Sequence, residues 1–336
     1  MPLGQKPDPM LDSFTGLIAA RALTTATVIG LFEALHEEPA EVEQIAERLD
    51  LDPVGADTLL GALLALGYVE RGEDGRLRNS EIAERQLVTS SPESIATFVG
   101  AQADLHWDVL TGLTAAVREG EAYAMHEQRH GDTANWDAYL RGLFEISRDD
   151  NDRLASMVPV EAPRRLVDVA GGHGGFSMAM CRRHPKLEAT VVDLPPSAAV
   201  GRQIVAEQGY SDRVSFGEGD VFELGLGRDV DVVSAFNLVH HLPEQRNREL
   251  CEMAHAALRP GGCVVIGDAA RPEPGEPASP HGAISSLLFY AWSHGRNFTP
   301  SEIRTWMIDA GFEQVTTHRD LRALWRVVVI GRDGQT

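Results

Sequence analysis

The chain has 336 residues, of which 43% are hydrophobic and 24% charged, and its formal net charge is −20. These values are typical of a folded protein of about two domains and argue against a disordered chain. The strongly acidic balance argues against nucleic acid or an anionic membrane surface as a partner.

The sequence gives no sign of export, membrane insertion or metal binding. Residues 1–10 are rich in proline and lack the apolar centre of a signal peptide. No uncharged apolar run reaches the roughly 18 residues that a membrane span needs. Cys181, Cys251 and Cys263 have no regular spacing, so neither a disulfide framework nor a zinc site is indicated. We therefore expect a cytoplasmic protein without a metal centre.

The first 90 residues predict helices followed by a short hairpin. Apolar residues recur at helical spacing between residues 11 and 35. The further predicted elements are helices at 42–49 and 54–66, the second entered through Pro53, and strands at 68–70 and 76–78 around a turn at 73–75. Helix, helix and hairpin make a winged-helix pattern.

A winged helix that reads DNA carries Arg or Lys on its third helix. The predicted helix 54–66 has no basic residue and a single charged one, Asp57. We therefore interpret this winged helix as one that packs against protein.

Residues 91–158 continue the helical pattern. Helices are predicted at 95–107, 109–117 and 136–157, and Pro159 and Pro163 mark a linker. The predicted domains are therefore residues 1–158 and 159–336. Three histidines of the helical stretch lack metal-ligand spacing and are interpreted as surface or core residues: His106, His126 and His130.

From Leu166 onward strands alternate with helices, which is typical of a doubly wound parallel sheet. The predicted strands are Leu166–Val169, Ala189–Asp193, Val214–Phe216, Val230–Ala235, Cys263–Ile266, Phe312–Thr317 and Trp325–Ile330. Because ligands of such sheets bind beyond the carboxyl ends of the strands, the residues that follow each strand are the candidate site.

Three of these strand ends carry groups that could hold one nucleoside. The first strand ends in the run Asp168-Val169-Ala170-Gly171-Gly172-His173-Gly174, whose glycines let a ligand approach the main chain. Asp193 closes the second strand, 19 positions beyond Gly174, where an acid can accept both ribose hydroxyls. After the third strand, Asp220 could take an adenine amino group and Phe222 could stack on the ring.

The same residues favour S-adenosylmethionine (SAM) over a nicotinamide dinucleotide. The dinucleotide fingerprint needs Gly or Ala at the position of Ser177, so the match fails there. Two acids and one aromatic ring suffice for a single nucleoside.

With these motifs assembled, the chain resembles the small-molecule O-methyltransferases that join a winged-helix dimerisation domain to a Rossmann-like SAM-binding domain with a seven-stranded sheet. Plant phenolic enzymes and bacterial enzymes of antibiotic biosynthesis belong to this family. The resemblance covers essentially the whole chain and rests on Asp-Val-Ala-Gly-Gly-His-Gly, Val-Val-Asp-Leu-Pro, Gly-Asp-Val-Phe and Leu-Arg-Pro-Gly-Gly. It implies a homodimer in which an N-terminal helix brings Met10 or Phe14 near the partner's pocket.

The resemblance also implies roles for individual residues. The expected SAM-binding residues are Asp168, Ala170, Gly171, Gly172, Asp193, Leu194, Asp220, Val221, Phe222 and Asn237. The family usually has Gly at the position of Ala170, and the alanine methyl is tolerated there if φ is negative.

The family's general base is a His just after the fourth strand, which corresponds to His240 in the run that begins at Asn237. The acid that steadies this His corresponds to Asp268, 28 positions later, and a second acid falls near Asn297. A simpler interpretation of His240 is a histidine that caps the next helix. Since adjacent residues after a strand point apart, His241 is not expected in the same pocket.

A phenol has a pKa of about 10 and a histidine of about 6.5, so a positioned imidazole can take the phenolic proton as attack develops. Catechol-type methyltransferases use Mg²⁺ and a carboxylate cluster, and no such cluster is present at short spacing. Aromatic walls for a planar substrate are expected from Trp107, Phe144, Phe289 and Trp292, although each alone is more often a core residue.

Three functions remain open. The first is SAM-dependent methyl transfer to a hydroxyl of a small aromatic or polyketide-like metabolite, and a phenolic hydroxyl is the expected acceptor. The second is a repurposed family member that uses SAM as a non-methylating cofactor in a decarboxylation, hydroxylation or pericyclic step. The third is a non-catalytic winged-helix regulator. The sequence does not decide between an oxygen and a nitrogen acceptor.

Overall fold

The structure, a computed structural model, describes residues 8–123, 133–277, 280–319 and 326–334. These residues form two compact units. One runs to Trp107 and also contains Arg141–Ile146, whereas the other contains Asp108–Leu140 and everything from Ser147 onward. Each unit contains two separate stretches of the chain. The domain boundary after residue 158 remains a prediction from the sequence. His126, His130 and Trp325 lie outside the described residues.

The predicted helices and hairpin of the N-terminal region are confirmed. The elements are α1 (Pro9–Val28), α2 (Leu31–Glu37), α3 (Val42–Arg48), α4 (Pro53–Leu66), β1 (Val69–Arg71), β2 (Leu77–Asn79), α5 (Glu81–Gln86) and α6 (Ala96–Thr111). Asp52 caps α4 by accepting from the Gly55 N–H, Pro53 opens the helix, and Gly67 ends it in the left-handed conformation. Strands β1 and β2 pair antiparallel, and their buried residues join one core with Phe32, Ile45 and Leu60.

In the part of the chain that the structure describes, no single helix is long and apolar enough to cross a membrane. The pair α1 and α2 passes the same test of length and composition only when the two are taken together, and it is bent by 57°.

The second unit is built on a seven-stranded sheet with the strand order β5-β4-β3-β6-β7-β9-β8. The strands are β3 (Arg165–Val169), β4 (Glu188–Asp193), β5 (Val214–Glu218), β6 (Val230–Phe236), β7 (Leu258–Ala269), β8 (Gln314–Arg319) and β9 (Arg326–Arg332). The helices are α7 (Leu113–Glu119), α8 (Thr133–Met157), α9 (Gly175–Arg183), α10 (Pro195–Glu207), α11 (Val221–Leu224), α12 (Glu244–Ala257), α13 (Pro280–Ser293) and α14 (Pro300–Asp309). The predicted fold class is confirmed.

The sheet departs from a fully parallel one at its last two strands. Strands β3 to β7 pair in parallel, but β9 is antiparallel to both β7 and β8. Only residues 320–325 separate β8 from β9, and a parallel crossover needs about a dozen residues or more, so an antiparallel return is required. The strand predicted to begin at Phe312 begins at Gln314 instead. Phe312 is a buried core residue ahead of the strand, and its ring packs on His255.

The sheet order reverses at β3, whose neighbours are β4 on one side and β6 on the other. Loops that leave the carboxyl ends of β3 and β6 therefore turn to opposite sides and leave a crevice between them. The predicted site residues lie at, or directly after, the carboxyl ends of β3, β4, β6 and β7.

Candidate active site

The glycine loop after β3 is built around the buried carboxylate of Asp168. Its Oδ2 accepts a hydrogen bond from the Ser177 hydroxyl (2.8 Å) and its Oδ1 from the Ser234 hydroxyl (2.6 Å). Burial raises the pKa of Asp168 to about 6, and the two serine hydrogen bonds oppose this rise. A Cβ on Gly171 would lie 2.6 Å from Asp168 Oδ2, so only glycine fits above it. Asp168 thus supports the loop from beneath.

Ala170 does not meet the condition expected for an alanine at its position. Its φ is +52°, in the left-handed region, and its N–H donates to the Val192 carbonyl at 2.8 Å. The condition under which the alanine methyl would be tolerated without strain is therefore not met. Ala170 carries a methyl group on a left-handed backbone that favours glycine, which costs about 1–2 kcal/mol in an L-residue.

Asp193 ties the end of β4 to the glycine loop. Its Oδ2 accepts from the Gly172 N–H (2.8 Å) and its Oδ1 from the Leu194 N–H (2.7 Å), so three predicted SAM-binding residues are brought together. Burial raises the pKa of Asp193, and the hydrogen bonds from these backbone groups and from Ser197 work against the rise. Asp193 as a whole residue is half-buried at the end of β4, where its carboxylate could accept a ribose diol.

The residues after β5 form a second polar and aromatic group. Asp220 caps α11, its Oδ1 accepting from the Phe222 N–H at 2.9 Å, while Val221 is turned into the core. The guanidinium carbon of Arg246 lies 4.0 Å from the centre of the Phe222 ring, and Nη2 of Arg246 lies 4.0 Å from Oδ2 of Asp220. Arg246 had no signal in the sequence.

His240 and Asp268 form a buried pair. His240 lies in a 3₁₀ turn, Val239–His241, and its Nδ1 is 2.5 Å from Asp268 Oδ1. The side chains are 3% and 1% exposed. Because a carboxylate only accepts, it selects the tautomer with a proton on Nδ1 and leaves Nε2 as an acceptor. No hydrogen bond from a described residue reaches Nε2.

Aromatic side chains surround this pair. The Phe289 ring stacks on His240 at 3.6 Å with an interplanar angle of 19°, and Trp292 contacts the edge of His241 at 6.4 Å. His241 also contacts Phe289, and its Nδ1 lies 2.7 Å from the Ser293 hydroxyl. His241 was not expected to share a pocket with His240, but the 3₁₀ turn after β6 carries both residues and brings their rings within 4.1 Å of each other and against the same Phe289 ring.

Asn297, the third predicted catalytic residue, is fully buried. Its Nδ2 donates to the Gly282 carbonyl (3.0 Å) and to the Ser285 hydroxyl (2.9 Å). It thereby fastens the loop after α13 to that helix. Among the described residues, none of its hydrogen bonds goes to His240.

The four predicted wall residues fall in different compact units. Phe289 and Trp292 belong to the unit of the sheet and contact the histidines. Trp107 and Phe144 belong to the N-terminal unit, where Trp107 is 40% exposed and Arg21 lies 5.1 Å above its ring. Asn237, the last predicted SAM-binding residue, is exposed after β6 with φ +52° and donates its N–H to the Gly267 carbonyl.

The sequence matches the O-methyltransferase domain family over residues 109–313 and the O-methyltransferase dimerisation domain family over residues 11–89. The chain belongs to the O-methyltransferase family. It is a SAM-dependent enzyme with a dimerisation domain, and the resemblance found in its motifs is confirmed.

Named relatives of this methyltransferase include two enzymes of Streptomyces. The 3-hydroxy-5-methyl-1-naphthoate 3-O-methyltransferase of Streptomyces sahachiroi is 32% identical over 95% of this chain and 93% of its own length. The tetracenomycin polyketide synthesis 8-O-methyl transferase of Streptomyces glaucescens is 30% identical over 93% of each chain. The crystal structure of human N-acetylserotonin methyltransferase in complex with SAM shares the fold, with a TM-score of 0.86, 20% identity and coverage of 99% and 100%.

The methyltransferase site also contains residues that sequence reasoning missed. Ser177 counted only as a mismatch to the dinucleotide fingerprint, yet it holds Asp168. Ser234 could have been found from the sequence, because it is a hydroxyl residue in the otherwise apolar second half of β6. In the structure its side chain is fully buried. Tyr139, on α8, gave no signal at all.

Proposed function

We propose that this enzyme transfers a methyl group from SAM to a phenolic hydroxyl of a small aromatic, polyketide-type molecule, with His240 as the general base. The observation that carries the proposal is the His240–Asp268 pair. Its Nε2, to which no described residue donates a hydrogen bond, lies beside aromatic side chains, and this is the arrangement needed to take a proton from a planar phenol.

The residues after three strands fit the nucleoside of SAM. Asp193 would accept the ribose hydroxyls, while Asp220 and Phe222 would hold the adenine. Gly172 has a φ of +51°, and a Cβ added to it would lie 3.2 Å from Cδ2 of Leu140. A larger residue at position 172 would therefore fill the space above the glycine loop, where SAM would bind.

When bound, SAM supplies a methyl group that its sulfonium already activates. The protein must therefore place a nucleophile in line and remove its proton. Nε2 of His240 would accept the phenolic proton, and the Asp268 carboxylate would stabilise the imidazolium that forms. The same carboxylate also accepts from the His240 and Ala269 N–H groups, which keeps it oriented.

An aromatic acceptor suits the side chains around the base. Phe289 and Trp292 offer ring faces and edges next to the histidines. One Streptomyces relative is named for methylation of a hydroxynaphthoate and the other for tetracenomycin polyketide synthesis, and both names support an aromatic, polyketide-type acceptor.

The test is incubation of the purified enzyme with SAM and a panel of hydroxynaphthalenes, hydroxyanthraquinones and an aminonaphthalene of matched shape. We expect some hydroxylated members to gain the mass of one CH₂ unit, and fragmentation to place it on oxygen. Gain only on the amine would replace the oxygen acceptor. Consumption of an acceptor without any methyl gain would favour the repurposed function.

A homodimer is part of the proposal. Helix α1 leaves five large apolar side chains exposed along its first half: Met10, Leu11, Phe14, Leu17 and Ile18. Exposed apolar side chains that are grouped in this way mark a protein–protein contact, and a second copy across a two-fold axis would bury them. Light scattering at micromolar concentration should give twice the chain mass of 36.5 kDa. A stable monomer would remove the dimer from the proposal.

A further inference from the structure

Tyr139 lies between two tryptophans next to the candidate base. Its ring contacts Trp136 edge-on (6.0 Å, 77°) and is tilted against Trp292 (6.0 Å, 47°). Both tryptophans are buried, so the position of the tyrosine ring is fixed. Trp292 in turn contacts His241, whose ring lies 4.1 Å from that of His240.

The same stretch of α8 reaches the cofactor side of the site. Leu140, the next residue, lies against Gly172 of the glycine loop. Asp193, which bonds to the Gly172 N–H, is near enough that its charge adds to burial in raising the pKa of Tyr139. Tyr139 thus stands where the expected cofactor and acceptor sites meet.

The hydroxyl of Tyr139 has no hydrogen-bond partner among the residues that the structure describes. Its ring is nevertheless held on two sides. A phenol that stays protonated is a hydrogen-bond donor, and one placed in a largely apolar site usually serves to orient a ligand.

We propose that the Tyr139 hydroxyl donates a hydrogen bond to a neutral oxygen of the acceptor molecule, a ketone or quinone carbonyl, and so selects acceptors that carry one. This inference rests on the proposed function. A carbonyl fits better than a carboxylate, because the carboxylates of Asp193 and Asp168 already give this side of the site negative charge.

The test compares Tyr139→Phe with the wild-type enzyme on two acceptors that differ in one group, a hydroxyaryl ketone and the same phenol with CH₂ in place of C=O. A neutral hydrogen bond contributes about 0.5–1.5 kcal/mol, so kcat/KM for the ketone should fall roughly 2- to 12-fold. The fall should lie mainly in KM, since the bond exists before and during transfer. The CH₂ acceptor should change less than about 2-fold.

Binding gives a second readout that does not need turnover. Calorimetric titration of the ketone into enzyme saturated with S-adenosylhomocysteine should show the same loss of affinity in Tyr139→Phe. Tyr210→Phe, a change before β5 at the opposite end of the strands, is the matched control and should leave both acceptors unaffected.

Two results would overturn the inference. Equal losses on both acceptors together with weaker SAM binding would assign the hydroxyl to the cofactor. Unchanged binding and turnover of the ketone would show that the hydroxyl orients nothing. If no acceptor is methylated by the wild-type enzyme but the ketone still binds in a Tyr139-dependent way, the proposed function fails, and only the hydrogen bond from Tyr139 to the bound ketone is supported.

Discussion

The backbone of Gly295 lies directly against the carbonyl group of His240. A Cβ built on Gly295 would come far inside contact distance of the His240 carbonyl oxygen and 2.8 Å from its carbonyl carbon. The loop after α13 and the turn that carries the candidate base therefore fit together only with glycine at position 295. Gly295 lies two residues after the end of α13, the helix whose Phe289 and Trp292 rings contact the histidines.

We predict that Gly295→Ala moves the turn and lowers both stability and turnover. Overpacking a tight contact costs about 1–3 kcal/mol, and a displaced base loses its alignment. Thermal unfolding and kcat measure the two effects. Gly61→Ala is the control, because that position is exposed in α4 with nothing within 4 Å, and the change should stabilise the protein by about 0.5–1 kcal/mol. Wild-type kcat in Gly295→Ala would show that the turn tolerates the shift.

The sequence predicted the sheet well because buried parallel strands read as continuous apolar runs, as in Val230–Phe236. The pairing of His240 with Asp268 could be predicted, because the family resemblance gave the spacing of 28 positions between the base and its acid. The sequence did not reveal the tight contact of Gly295, because it joins backbone groups 55 positions apart. Nor did it reveal the positive φ of Ala170, since the loop geometry overrides the preference of alanine.

Removing the candidate base is the sharpest test of the proposed chemistry. His240→Ala should lower turnover on a phenol by roughly 10²–10⁴-fold, the usual contribution of a positioned base. Affinity for SAM should hardly change, because the imidazole contacts Asp268 and Phe289 and not the residues that would hold the nucleoside. Raising the pH should partly restore activity, because more phenol, with a pKa of about 10, is then ionised in solution.

Two neighbouring variants refine this experiment. Asp268→Asn should fall between wild type and His240→Ala, because an amide orients the imidazole but does not stabilise its cation. His241→Ala should be milder than His240→Ala, yet it is not neutral, because His241 contacts Phe289 and Trp292. Full activity of His240→Ala at neutral pH would mean that placement beside SAM is the whole mechanism.

Asp193→Ala tests the nucleoside site. We expect SAM affinity to fall by about 1.5–3 kcal/mol, the contribution of hydrogen bonds to a charged acceptor. The Gly172 and Leu194 N–H groups would also lose their acceptor, so the glycine loop would be less well ordered. Calorimetric titration with SAM measures the change, and Asp212→Ala, which removes an exposed acid of equal charge, is the control. Equal affinity in the two variants would refute the assignment of Asp193.

Ala170→Gly should stabilise the enzyme. The left-handed backbone at φ +52° costs an alanine about 1–2 kcal/mol, whereas glycine adopts it freely but loses more entropy on folding, about 0.5–1 kcal/mol. The expected net gain is up to about 1.5 kcal/mol and is measured by thermal unfolding. Gly172→Ala, at φ +51° in the same loop, is the reverse change and should destabilise. A lower melting temperature in Ala170→Gly would mean that the alanine methyl makes a contact worth more than the strain.

The last prediction concerns the pH dependence of stability, through Asp168. Its pKa is raised from 3.8 to about 6, so the folded protein binds this proton more tightly than the unfolded chain does. Stability from this group is therefore present at low pH and is lost as the pH rises through the window from about 4 to 6. A rise of this size corresponds to roughly 1–3 kcal/mol.

Asp168→Asn removes the buried charge and keeps an oxygen that can accept from Ser177 or Ser234. The variant should resist denaturant better than wild type at pH 8. Most of the difference should vanish by about pH 4.5, because the Asp168 side chain of the folded wild type is then mostly protonated and as neutral as the amide of the variant. Asp231→Asn is the contrasting control. That carboxylate pairs with Arg259 and accepts the Arg164 and Arg165 N–H groups, so its loss should destabilise the enzyme at pH 8. If Asp168→Asn instead weakens the fold equally at both pH values, the ionised carboxylate is required by the loop, and the raised pKa does not govern its stability.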